Sequence, residues 1–219
     1  MMKKTTRFII IFLSLYAYAF TSSAQLHSIG LAGGYANTTV NLEDAITNEA
    51  NSESNFLFGV QVDFKLTQNW FLGLDLLYQK RGYRDPLFSV REFDFNYTYI
   101  AAPFRVSYRV GDKVQGFVSA GFTQAFLLEA NAVGPLIGPA DELIDPAATF
   151  DLKEFTKNYD LAGMIGVGGR LNLRKLSLSL EGRYNQSFTN LEKESRSRLK
   201  AFHQSWQMLL GVHYLLGNK

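Results

Sequence analysis

The chain has 219 residues, 47% of them hydrophobic and 14% aromatic, with 18 Phe and 11 Tyr against only 19% charged residues. That is too apolar for a disordered chain, rich in strand-forming side chains, and long enough for one all-β domain with a proper interior. The absence of Cys excludes disulfides and thiolate metal sites, and a formal charge of +2 without a basic block removes the electrostatic case for a nucleic-acid partner.

The first 24 residues form a three-part pattern. Lys3, Lys4 and Arg7 precede an uncharged apolar run from Phe8 to Phe20, and Ser22-Ser23-Ala24 puts small residues just ahead of Gln25. This predicts a cleaved secretory signal peptide over 1–24, because the apolar run is short of the about 20 residues a helical span needs. Its loss would take three of the 22 basic residues and leave 19 against 20 acidic ones, so the domain 25–219 would be nearly neutral.

Beyond Gln25 the chain alternates with period two between turn signals. The predicted strands are Ser28 to Ala36, Phe56 to Leu66, Trp70 to Tyr83, Phe95 to Val110, Val114 to Leu128, Tyr159 to Leu173, Leu176 to Phe188, and Phe202 to Leu216. Three links are hairpin-sized, at 67–69, 111–113 and 174–175, and four are long, at 37–55, 84–94, 129–158 and 189–201. Short and long links strictly alternate, so an up-and-down barrel would gather all short turns at one rim and all long loops at the other.

Which face of each strand meets water decides between a membrane barrel and a soluble one. In FLFGVQVDFKL, Phe56, Phe58, Val60, Val62, Phe64 and Leu66 share one parity, and Leu57, Gly59, Gln61, Asp63 and Lys65 share the other. Across all strands the second face carries mostly Gly, Ser and a few charges of both signs. Glycine weakens a strand and gains nothing on a wet surface, but it fits the cramped lumen of an eight-stranded barrel. The expected fold is therefore an all-β, eight-stranded antiparallel up-and-down transmembrane β-barrel, with short periplasmic turns and long extracellular loops. Aromatics near strand ends would form the interfacial belts, with Trp70, Tyr108 and Tyr214 toward the short turns and Tyr78 and Phe202 toward the long loops. A charge at outward Val60 or Leu74 should cost about 2–4 kcal/mol at the midplane, and small polar changes at inward Gly59 or Gln61 should cost less. A soluble lipocalin-like carrier with its aromatics inside is the main architectural alternative.

The segments LGLDLLYQKRGYR, YIAAPFRVSYRV, GFVSAGFTQAFLL, LAGMIGVGGRL, LSLEGRYNQSFTNL and WQMLLGVHYLL resemble strands of the PorT-like outer-membrane β-barrel family of Gram-negative bacteria, small barrels of the OmpX and OmpA kind. The resemblance spans essentially the whole chain after residue 24 and implies architecture rather than activity. It implies residence in the bacterial outer membrane with both termini periplasmic, insertion by the barrel-assembly machinery, and contact with outer-membrane lipid and lipopolysaccharide. One namesake of the family serves in protein secretion, so a scaffold, binding or secretion-associated role is the expectation.

No constellation of residues points to catalysis, and no cofactor is implied. His27, His203 and His213 lie too far apart in sequence for a metal-ligand pair, and the glycines of GMIGVGG (163–169) lack the lysine and helix of a phosphate loop. Ser205 and His203 share a strand face, but no acidic residue is expected beside them to complete a relay. An outer-membrane lipid-modifying or proteolytic enzyme remains the catalytic alternative. The sharper group is inward and charged: Asp63, Asp75, Arg105, Arg109, Arg170, Glu181 and Arg183 should pair into a polar plug. Asp75 is expected to meet Arg105, and Arg170 to meet Glu181 and Arg183. The link 129–158 is unusually apolar for a loop, and Leu136, Ile137, Leu143 and Ile144 make it the candidate docking site for a protein partner. Lys193, Arg196, Arg198 and Lys200 in the last long link are either a contact for lipopolysaccharide phosphates or a solvated face.

Overall fold

A computed structural model describes residues 25–43, 51–85, 93–139, 142–191 and 200–216. The expected signal segment 1–24, and Lys193, Arg196 and Arg198 of the last long link, lie outside the described residues. Among the described residues nine strands run in chain order: β1 Gln25–Glu43, β2 Asn51–Lys65, β3 Trp70–Asp85, β4 Phe93–Val110, β5 Val114–Ile137, β6 Leu143–Asp151, β7 Tyr159–Leu173, β8 Leu176–Ser187 and β9 Lys200–Leu215. All pairings are antiparallel, in the order β4-β3-β2-β1-β9-β8-β7-β5, and a further β4–β5 pairing closes these eight into a ring. Strand β6 lies outside the ring and pairs with the upper part of β5.

The eight ring strands are those the alternation predicts; their lengths and β6 are not. Strand β1 runs on to Glu43 and β5 to Ile137, so much of the long links 37–55 and 129–158 is extended backbone. Above the apolar stretch the alternation continues, but its outward members become polar. Asn37 and Asn41 face out of β1 while Thr38 and Val40 are buried inside it. The wall thus rises out of hydrocarbon into water, and the outward residues follow the change of solvent.

The three short turns and the two described chain ends share one rim. Gly111 takes φ +108 in the turn 111–113, and Arg174 takes φ 50 in the two-residue turn 174–175, both left-handed conformations that tight reversals require. Of the interrupted seams, the one between β3 and β4 lies at the level of Asp75. The β3–β4 register passes from Leu74↔Phe104 to Leu77↔Ala101, skipping the level of Pro103, which has no N–H to donate.

Outward side chains form a continuous apolar coat. Leu31, Phe58, Ile165, Val167, Trp206, Met208 and Leu210 are each 58–68% exposed. Such a surface greatly exceeds the isolated patches of soluble monomers, and only an apolar solvent accommodates it. Trp70 packs on Tyr108 toward the short-turn rim at 5.1 Å, whereas Tyr35–Phe56 at 5.9 Å, Phe58–Tyr78 at 5.3 Å and Tyr184–Trp206 at 4.7 Å mark the other edge. The lipocalin-like alternative needs these aromatics inside, and they are outside.

Candidate functional site

The interior has two storeys of opposite character. Toward the short turns it is packed with ionised side chains; toward the long links it is an apolar core including Val40, Leu57, Leu77, Tyr97, Tyr99 and Leu127. Tyr83 stacks on Phe95 with ring centroids 4.8 Å apart and planes within 6°. The upper storey stands in water, so its inside must be a hydrophobic core like that of any soluble sheet.

The lower storey is organised around Asp63 on β2. Its Oδ1 accepts from Arg105 at 2.9 Å, and its Oδ2 lies 2.8 Å from both Arg109 and Arg170 and accepts from Ser28 Oγ at 3.1 Å. Asp75 faces Arg105 at 3.3 Å and Arg183 at 2.7 Å, and accepts from Gln61 Nε2 at 3.1 Å. Glu181 accepts from Arg183 at 2.8 Å and from Ser119 Oγ at 3.1 Å. All seven charged residues singled out in the sequence therefore belong to one buried ionic network. The partner of Arg170 differs from expectation: it reaches across the lumen to Asp63 on β2, while Glu181 pairs with its own strand neighbour Arg183. Strands on opposite walls are only a side chain apart in so narrow a barrel, so neighbours in the ring hold no advantage.

The inward glycines make room for these side chains. A Cβ at Gly73 would stand 2.6 Å from Arg105 Cζ, and one at Gly166 would stand 2.5 Å from Ser119 Oγ and 2.8 Å from Glu181 Oε1. Arg109 also lies over the Phe71 ring at 4.0 Å, a cation–π contact on the short-turn side of the network.

A second polar group sits at the upper belt and was not singled out in the sequence. Arg81 on β3 pairs with Asp160 on β7 at 2.5 Å, and Ser187 Oγ donates to the other oxygen of Asp160. Arg81 stacks over Tyr99 at 4.7 Å, and the Tyr99 hydroxyl lies 3.5 Å from His203 Nε2. Extending the inward parity of β3 past Gln79 and of β7 back from Ala162 toward the strand start would have found Arg81 and Asp160. The expectation of no acid near His203 is thus corrected, since Asp160 and His203 line one small cleft with Lys157, Thr189 and Asn190. No relay results: Asp160 spends both oxygens on Arg81 and Ser187, and Ser205 Oγ accepts from Gln207 at 3.3 Å. His213 lies 2.9 Å from Ser179 Oγ and 3.4 Å from Arg170, and His27 packs its ring on Phe71. Among the described residues no group of three or more His, Asp or Glu is arranged to hold a metal.

Above the membrane-facing coat, Glu53 at the rim is partly desolvated and neighbours Asp94, and both effects raise its carboxyl pKa against the opposing pull of Arg84. The four apolar residues of the long link meet at the tip of the β5–β6 hairpin, where Ile137 pairs with Leu143 and Leu136 with Asp145. Leu143 and Ile144 are both 58% exposed there.

A closed antiparallel ring with an apolar exterior and an ion-filled lumen defines a transmembrane β-barrel. The chain belongs to the outer membrane protein beta-barrel domain family, whose sequence profile matches residues 23–193. It is therefore a bacterial outer-membrane barrel protein. Its fold is similar to that of Neisserial surface protein A (10% identity, 86% of this chain and 96% of that one, TM-score 0.50). It is equally similar to outer membrane protein OprG from Pseudomonas aeruginosa (10% identity, 90% of this chain and 99% of that one, TM-score 0.50). At such identities the likeness concerns fold alone. No curated protein sequence matches the chain significantly.

Proposed function

We propose that this is a non-catalytic outer-membrane barrel of the PorT-like kind, a closed scaffold that presents its long-link end to a protein partner. The observation that carries this reading is the combination of a lumen filled by the Asp63-centred ion network with an apolar-tipped hairpin rising from the rim. A filled lumen leaves no route for solutes, and a paired two-stranded arm offers Leu136, Ile137, Leu143 and Ile144 as a contact surface. In this reading residues 1–24 direct export, the short turns and both termini are periplasmic, the barrel-assembly machinery inserts the domain, and lipopolysaccharide surrounds the upper belt. The binding reading is favoured over a lipid-modifying or proteolytic one because Ser205 and Asp160 are each committed to other partners.

The test is crosslinking in cells from photoreactive side chains placed at Leu136 and Ile144, with Phe58 as a membrane-facing control. A discrete protein adduct specific to the hairpin positions is the expected result. Adducts from all three positions alike, or none from the hairpin, would remove the docking role. A changed lipid A composition after deletion of the protein would instead favour the enzyme.

A further inference from the structure

We infer that the short-turn end of the lumen binds one small inorganic anion, held between Arg109 and Arg170. Among the described residues the lower network holds four guanidinium groups, on Arg105, Arg109, Arg170 and Arg183, against three carboxylates, on Asp63, Asp75 and Glu181. The surplus positive charge has no carboxylate to turn to, because every carboxylate oxygen in the network is engaged by an arginine or a hydroxyl. It is also localised. Arg109 and Arg170 stand on the two strands that flank β5, and both crowd onto the single Oδ2 of Asp63.

Each of these two side chains is more than nine-tenths buried and keeps both its Nε and its Nη1 without a hydrogen-bond partner. Lys65 faces the same end and adds to the positive potential; the nearest turn carboxylate, on Asp112, belongs to an exposed residue. Water would satisfy the N–H groups but leave the charge uncompensated, and an uncompensated buried charge is among the costliest features a fold can carry. An anion between two guanidinium forks satisfies both requirements, as guanidinium geometry suits inorganic oxyanions and halides alike.

Chloride is the probe for the test. Full-length protein purified from membranes into zwitterionic micelles is titrated with chloride at constant ionic strength, and the excess width of the chloride NMR line is followed, with nitrate as competitor. Folding is checked throughout by heat-modifiable gel mobility. Saturable broadening that nitrate reverses is expected. Arg170→Gln should abolish it; because that variant also loosens Asp63, the deciding one is Asn172→Asp. It places a carboxylate two residues from Arg170 on the same strand face, giving up only the Asn172 Nδ2 bond to the exposed Asp112 carbonyl at 2.8 Å, and should supply the counter-charge internally, with loss of the broadening and retention of the fold. Unsaturable broadening in the wild type, or saturable broadening unchanged in folded Asn172→Asp, overturns the site. Neither result would bear on whether the lumen is closed or the hairpin docks a partner.

Discussion

Replacing Asp63 by Asn would leave Arg105, Arg109 and Arg170 facing a neutral amide in a lumen where each is almost wholly buried. Breaking a buried ion pair from one side costs about 3–5 kcal/mol, so the variant should unfold at markedly lower urea in lipid vesicles. On the outer wall, Val60 lies opposite Leu31 and Leu76 near the middle of the apolar coat, and Val60→Arg should cost about 2–4 kcal/mol in the same titration. The inward neighbour Gly59 is less tolerant than its small-and-polar face suggests: a Cβ there would stand 2.8 Å from the Leu77 Cα, so backbone would have to shift. At the rim, Glu53 has a folded-state pKa above its unfolded value, so its stabilising contribution is present below the unfolded pKa and is lost as pH rises through the folded one. Amide exchange over 51–54, corrected for its intrinsic pH dependence, should therefore quicken as pH rises through the carboxylate range, and Glu53→Gln should flatten that trend.

Among the elements, β4 shows how one residue shapes a seam. Pro103 sits within an 18-residue strand where the β3–β4 register is interrupted, beside Asp75 of the ion network. Restoring a donor with Pro103→Ala should let the ladder close and slow amide exchange at 75, 76 and 102; unchanged exchange at those three would mean that lumen packing, not the missing N–H, holds the seam apart. Strand β6 makes a different point. Its Pro146, its Asp145 and its weak alternation in LIDPAATFD hide it from a period-two reading, and it becomes a strand only because the extended β5 offers it a free edge. Likewise the upper parts of β1 and β5 escape a search for membrane strands because their outward residues are polar. Arg81 and Asp160 fell outside the predicted charge group for a related reason: they lie at the belt, where the inward face passes from ionic to apolar neighbours.

At the scale of the molecule, the ion network occupies the short-turn part of the lumen and the apolar core the part toward the long links. The wild-type barrel should show no steady conductance in planar bilayers. The double variant Arg105→Ala, Arg183→Ala, which removes two of the four lower guanidiniums, should open a measurable leak if these side chains are the closure. A double variant as silent as the wild type would shift the closure to the upper core.

The sequence alone determined that strands alternate, which face of each is small and charged, that short and long links take turns, and hence that the chain closes into a membrane barrel. Each of these is a local pattern, carried by neighbours two residues apart or by the lengths between them. Which charges meet was decided only in the closed ring: Arg170 finds Asp63 across the lumen, and the carboxylates saturate while Arg109 and Arg170 share one oxygen. Strand register and barrel width set those distances, and neither is a property of any single stretch of chain. The same holds for FLFGVQVDFKL, whose phenylalanines look outward throughout but whose solvent depends on how high in the wall they stand.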